Sequence, residues 1–181
     1  MFQSLTFTKK YILALSLIAL LSLLAYFNLN HIINKQSNDG EIINISGKQR
    51  MLSQQIAFFA INYKTEELIK NIISMESGHK FLISLPMSIE LKSIYYEKPI
   101  QLDERIKEYI YHGKIFYNNR SGLSLSYILT NSQDLLKDLD KVVSIYQKES
   151  EKKVSRLKDI ELLILIVTII VLIFEAIFIF H

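Results

Sequence analysis

The sequence predicts an all-α protein: an extracytoplasmic antiparallel four-helix bundle flanked by two transmembrane helices. Three observations carry that prediction. Each end of the chain holds an apolar run long enough to cross a bilayer. Between the ends, apolar residues recur at alternating steps of three and four, the period of one helical face. The composition is also short of helix breakers, with five glycines and two prolines among 181 residues and a hydrophobic fraction of 50%. No cysteine and no tryptophan is present, which excludes a disulfide-stapled scaffold and fits an extracytoplasmic location.

Residues 11–29 (YILALSLIALLSLLAYFNL) form an uncharged apolar run of 19 residues, about 28 Å as a helix against a bilayer core of roughly 30 Å. The run exceeds the roughly 7–15 apolar residues of a cleaved signal peptide, and no small-x-small site follows it, so an uncleaved anchor is expected. Residues 162–180 (LLILIVTIIVLIFEAIFIF) form a second run, interrupted only by Glu175. Lys9 and Lys10 precede the first run with no acidic residue among the first ten. The excess of positive charge on the cytoplasmic side then puts residues 1–10 in the cytoplasm, residues 30–161 in the periplasm and His181 back in the cytoplasm. Glu175 lies close to the chain end and is expected to reach water at the inner interface, with a polar contact to the partner span as the alternative.

Residues 30–161 read as helical throughout. Ile45, Gln49, Leu52, Ile56, Phe59 and Tyr63 give the first bundle helix its core face. Thr65 is a cap candidate with Glu66 and Glu67 behind it, opening a second helix whose inner residues are Leu68, Ile72 and Met75. Pro86 and Pro99 bound a connector over residues 85–102 with at most a short helix. Asp103 reads as the cap of a third helix carrying Ile106, Tyr109, Ile110, Phe116 and Tyr117. Residues 118–122 (NNRSG) make a turn. A last helix begins near Ser124 with Ile128, Leu135, Leu139, Val142 and Tyr146 inward, and runs unbroken into the second span. The result is an up-down-up-down bundle continuous with both spans.

The run EIINISGKQRMLSQQIA at residues 41–57 holds the candidate site. On a helix, Gly47, Arg50 and Gln54 share a face beside the core stripe. Gly47 costs about 1 kcal/mol of helix stability against alanine, which close approach by a helix or a ligand would justify. In a symmetric dimer with this face at the axis, two Arg50 guanidiniums would meet, and a small planar anion between them could accept paired donors from both. The plainer alternative is a surface arginine paired with an acid such as Glu41 or Asp103.

The run INISGKQRMLSQQI at residues 43–56 resembles the signature of the sensor domain shared by type IV pilus chemotaxis transducers (PilJ-type) and NarX-like nitrate/nitrite sensor kinases. The run NSQDLLKDLDKVVSIYQ at residues 131–147 is similar to the start of that family's fourth helix. The resemblance implies two spans flanking a four-helix bundle that works as a homodimer. It also implies that Arg50 contacts a small anion at the dimer interface, with Gly47 and Met51 matching the signature beside it, while Gln54, by its place on the same helix face, could add hydrogen bonds. Gln55 stands where both branches often carry a second arginine, so the ligand stays open, with nitrate and nitrite among the candidates.

Other chemistry finds little support. His31, His79, His112 and His181 lack metal-ligand spacing and read as surface or connector residues, so no metal or cofactor is expected. Glu66 and Glu67 sit at a helix start, Asp138 and Asp140 read as a solvated face, and no nucleophile accompanies them, so no enzyme is expected. A net charge of +3 from 21 basic and 18 acidic residues makes no case for nucleic acid. Residues 148–158 alternate in sign and read as a solvated face near lipid headgroups. The sequence thus predicts the ligand-input region of a transmembrane signal transducer, with the lipid bilayer and a cytoplasmic signalling module beyond His181 as partners. A stand-alone membrane scaffold without ligand is the alternative.

Overall fold

The computed structural model describes residues 7–180; residues 1–6 of the expected cytoplasmic N-terminus, and His181, lie outside the described residues. The described residues form five helices and no strand: α1 (Phe7–Ile61), α2 (Thr65–Ser84), α3 (Ile89–Tyr96), α4 (Leu102–Asn119) and α5 (Gly122–Phe180). The all-α class and the order of the predicted helices hold, with α3 as the short helix of the connector. By contacts the chain divides into two compact units: Met1–Asn38 together with Ser150–His181, and Asp39–Glu149.

In the first unit, α1 and α5 each contain a stretch long and apolar enough to cross a membrane. Leu13, Leu23, Phe27, Leu163, Ile173 and Phe174 are exposed, while Ala14 is buried. Such an outward apolar surface is the one lipid would cover. The hydroxyls of Ser16 and Thr168 donate to the carbonyls of Ile12 and Ile164, each at 2.8 Å. That back-bonding satisfies them within their own helices. Glu175 is half-buried, with its Oε1 enclosed and without a hydrogen-bond partner among the described residues.

The second unit is a bundle of four helices around one apolar core. α1 contributes Leu52, Ile56, Ala57 and Ala60; α2 contributes Leu68, Ile72, Met75 and Leu82. α4 adds Leu102, Ile106, Tyr109 and Phe116, and α5 adds Ile128, Leu135, Leu139, Val142 and Tyr146. α3 closes the core with Leu91 and Tyr95. The alternating spacing puts each set on one face of its helix. Tyr63, predicted to extend the α1 stripe, falls just past the helix and is exposed.

The reason lies in how α1 ends. Tyr63 adopts the left-handed conformation (φ 55), the Tyr63 amide bonds the Ala60 carbonyl at 3.2 Å and the Lys64 amide bonds the Phe59 carbonyl at 3.0 Å. This pair of bonds is the Schellman stop, made here with tyrosine in the position glycine usually fills. α4 stops in the simpler manner, with left-handed Arg120 (φ 52) donating to Phe116 O at 3.0 Å. The Arg120 guanidinium then lies 5.6 Å from the Phe116 ring and 5.9 Å from the Tyr63 ring, and it donates to Thr65 Oγ1. One cation thereby ties the α1–α2 turn to the α4–α5 turn.

Two predicted caps differ. Lys64 holds the N-cap position of α2 without a side-chain cap, so Thr65 lies inside the helix. Gln101 holds that position for α4, and Asp103, the second residue of the helix, spends its carboxylate on His79 and Lys107. α3 does have a side-chain cap: Ser88 Oγ accepts from Leu91 N at 3.3 Å.

Gly78 on α2 packs against the buried Gln49 side chain of α1. A Cβ there would lie 2.1 Å from Nε2 of Gln49, whose side chain is 1% exposed and cannot simply swing away. Gly78→Ala should therefore lower unfolding stability by about 1–3 kcal/mol despite alanine's helical advantage, and adding Gln49→Ala should restore part of the loss. Thermal unfolding of the three variants followed by far-UV circular dichroism checks this; a stabilised single variant would refute it.

Candidate functional site

The helical period sets what Arg50 faces. With Gln49, Leu52 and Ile56 turned into the core, the neighbouring stripe Ile43, Asn44, Gly47, Lys48, Arg50 and Met51 faces outward and forms one wall of an open groove. α5 supplies the other wall with Asp140, Val143, Ser144 and Gln147, and the groove holds about 760 Å³. That volume lies within the range of small-molecule sites. A Cβ at Gly47 would meet no heavy atom within 4 Å beyond its own stretch of α1, so no other described part of the molecule approaches it closely.

Arg50 is paired. Its Nη1 donates to Asp140 Oδ1 at 2.8 Å, and both side chains are about half exposed (48% and 49%). The partner is neither Glu41 nor Asp103 but an acid of the last helix. So exposed a pair contributes about 0–1 kcal/mol to stability, little enough for a ligand to rearrange.

The structure thus brings Arg50, Gly47 and Met51 to one groove and leaves Gln54 out of its lining. The Gln54 amide donates to the Ser132 carbonyl at 2.9 Å, and its oxygen accepts from Gln133 at 3.4 Å. These bonds tie α1 to α5. Gln55 turns towards α2, accepting from Asn71 Nδ2 at 3.2 Å.

Behind Arg50 the core is polar. Ser46, Gln49 and Ser53 are each no more than 1% exposed. Ser53 Oγ donates to Arg50 O at 2.8 Å, and Tyr109 OH donates to Ser53 O at 2.7 Å. Ser46 Oγ and Gln49 Oε1 have no partner among the described residues. Asp138, predicted on a solvated face, is buried; it accepts from Arg105 and, at 2.8 Å, from Lys141. Burial raises its pKa, but those two cations outweigh it and hold the carboxyl below its usual range.

A second polar cluster joins α2, α3, α4 and α5. His79, predicted at the surface or in a connector, is buried on α2 with Nε2 2.8 Å from Asp103 Oδ1. Lys107 Nζ donates to Asp103 Oδ2 at 2.7 Å, and Tyr95 stacks on the imidazole with ring centroids 6.1 Å apart. The Tyr95 hydroxyl, the Tyr146 hydroxyl and His79 Nδ1 lack partners among the described residues. Burial pushes Tyr95 up and Tyr146 up to about 12. The spacing of His79 from Leu68, Ile72 and Met75 by helical steps was the available sign that it faces the core. Of the other histidines, His112 is half-buried, stacked on Tyr127 at 4.0 Å with Nδ1 3.2 Å from Ser124 Oγ. Among the described residues no group of three His, Cys, Asp or Glu could hold a metal ion.

The structure thus sets a groove of mixed polar and apolar lining between α1 and α5, and each of these two helices also contains an apolar stretch. In comparison with protein families, residues 31–85 match the family model of the type IV pili methyl-accepting chemotaxis transducer N-terminal domain, PilJ. The match takes in the run around Arg50 and all of α2. A search of curated proteins returns no match.

The buried pair has a pH signature. Burial lowers the His79 pKa, and Asp103 opposes this only in part, so the folded protein holds a neutral imidazole. The unfolded chain takes up this proton near pH 6.5, the folded chain only at lower pH. Stability from His79 is thus complete above about 6.5 and is lost as pH falls from there through the folded value. Burial raises Asp103 but Lys107 and His79 outweigh it, so its loss comes below the usual carboxylate pKa, outside this window. The thermal midpoint of the chain should fall between pH 7 and 5, and His79→Gln should flatten that slope; an unchanged slope would show that His79 does not carry it.

Proposed function

We propose that this chain is the sensor, or ligand-input, region of a bacterial transmembrane signal transducer. Residues 11–29 and 162–180 cross the inner (cytoplasmic) membrane, and residues 30–161 lie in the periplasm. Two copies form a homodimer with α1 at the seam, and a small extracytoplasmic ligand, an anion being the first candidate, binds at Arg50. Gly47 leaves room for the ligand or the second copy, Met51 lines the site, and Gln54 holds α1 against α5. The single observation that carries this reading is coincidence: the PilJ match at residues 31–85 and the groove fall on the same stretch of α1.

The mechanism follows from differential binding. A ligand that favours one setting of α1 against α5 shifts the population towards it by the difference in its affinity for the two settings. α5 is one helix, Gly122–Phe180, and carries both Asp140 of the groove and the second apolar stretch. A small axial or rotational shift of that helix is the signal passed to a cytoplasmic signalling module. The charged, half-exposed Arg50–Asp140 pair in the groove favours a ligand site over a ligand-free scaffold.

Absence of cysteine makes the dimer seam directly testable. In full-length protein in nanodiscs, Met51→Cys should form an inter-chain disulfide under mild oxidation while Ile73→Cys, exposed on α2, should not. Calorimetric titration with nitrate, nitrite and other small anions should give binding that Arg50→Ala weakens at least about tenfold. Equal cross-linking at both positions would remove the α1 seam, and no Arg50-dependent binding of any small ligand would remove the ligand site.

A further inference from the structure

Arg50 meets its ligand with Asp140 already in place. The guanidinium gives one donor, Nη1, to Asp140 Oδ1 at 2.8 Å, and its other donors are left for a second acceptor. A bare oxyanion arriving there finds a like charge beside it, and either it or Asp140 must yield. The rest of the lining is mixed. Lys48 is a second cation, Asn44, Ser144 and Gln147 are neutral and polar, and Ile43, Met51 and Val143 form apolar wall. A groove of about 760 Å³ also has far more room than a three- or four-atom anion fills.

Taking Arg50 as the ligand contact, as the proposed function does, we propose that the ligand is a small zwitterion, an α-amino acid with an apolar side chain, and that Asp140 is the specificity-determining residue. The ligand carboxylate accepts from Arg50 and its ammonium donates to Asp140. Arg50, carboxylate, ammonium and Asp140 then alternate in sign, so each charge keeps an opposite neighbour and none is displaced into a like field. The apolar side chain lies along Ile43, Met51 and Val143. Asp140 is about half exposed and its carboxylate is held by Arg50 alone among the described residues, so neutralising it leaves the core untouched.

Calorimetric titration of the full chain in nanodiscs separates the terms with four probes: L-leucine, 4-methylpentanoate (the same side chain without the ammonium), 3-methylbutylamine (without the carboxylate) and nitrate. L-leucine should bind at least about tenfold more tightly than the other three. Asp140→Asn should weaken L-leucine about tenfold and strengthen nitrate and 4-methylpentanoate, because the competing charge is gone. Arg50→Ala should remove all carboxylate and nitrate binding. If nitrate or 4-methylpentanoate binds the unaltered chain as tightly as L-leucine, or if Asp140→Asn leaves L-leucine unchanged, the zwitterion proposal falls and the Arg50 site stands. If no probe shows Arg50-dependent binding, the Arg50 site falls and the zwitterion proposal with it.

Discussion

The rotational phase of α1 about its own axis governs the rest of this molecule. Leu52, Ile56 and Ala60 are almost wholly buried, and a turn of the helix by one residue, about 100°, would carry them towards water. Fixing that phase by burial fixes everything beside it. Arg50, two residues before Leu52, must look out along α5; Gln54, two residues after it, must meet the Ser132 carbonyl. The groove is therefore not built by a loop or an insertion. It is the strip of α1 left over once the core has taken its face.

The same phase brings polar side chains into the interior. Ser46, Gln49 and Ser53 share the inward face with the leucines and isoleucines, and two of their polar atoms have no partner among the described residues. A buried polar atom without a partner costs about 1–3 kcal/mol. Concentrated directly behind Arg50, this lowers the advantage of the present setting of α1 over neighbouring ones. Lower down α1, where Ile56, Ala57 and Ala60 take over, the core has no such weakness.

Helices and core were readable because they are periodic. Leu135, Leu139, Val142 and Tyr146 announce an inward face by spacing alone, and each is buried. What escaped was set by chemistry at a distance. Asp103 has the residue type and position of a cap, yet its oxygens go to His79 and Lys107. Tyr63 continued the stripe on paper, but a left-handed backbone stops the helix before it. Asp140 lies 90 positions from Arg50 in sequence, and no local pattern links two charges so far apart. Asp138 and Asp140 looked alike as a pair of acids. One turns inward to Arg105 and Lys141, the other outward to Arg50, because two residues on a helix point about 200° apart.

The half-exposed character of the Arg50–Asp140 pair has an effect unrelated to any ligand. Mobile ions screen charges in contact with solvent over about 8 Å at physiological ionic strength and about 3 Å at 1 M salt. The hold of Asp140 on Arg50 therefore slackens as the surrounding medium grows saltier, while the enclosed contact of Asp138 with Arg105 is screened far less. Asp138 and Asp140 thus give the last helix one tether that follows the ionic composition of its surroundings and one that does so far less.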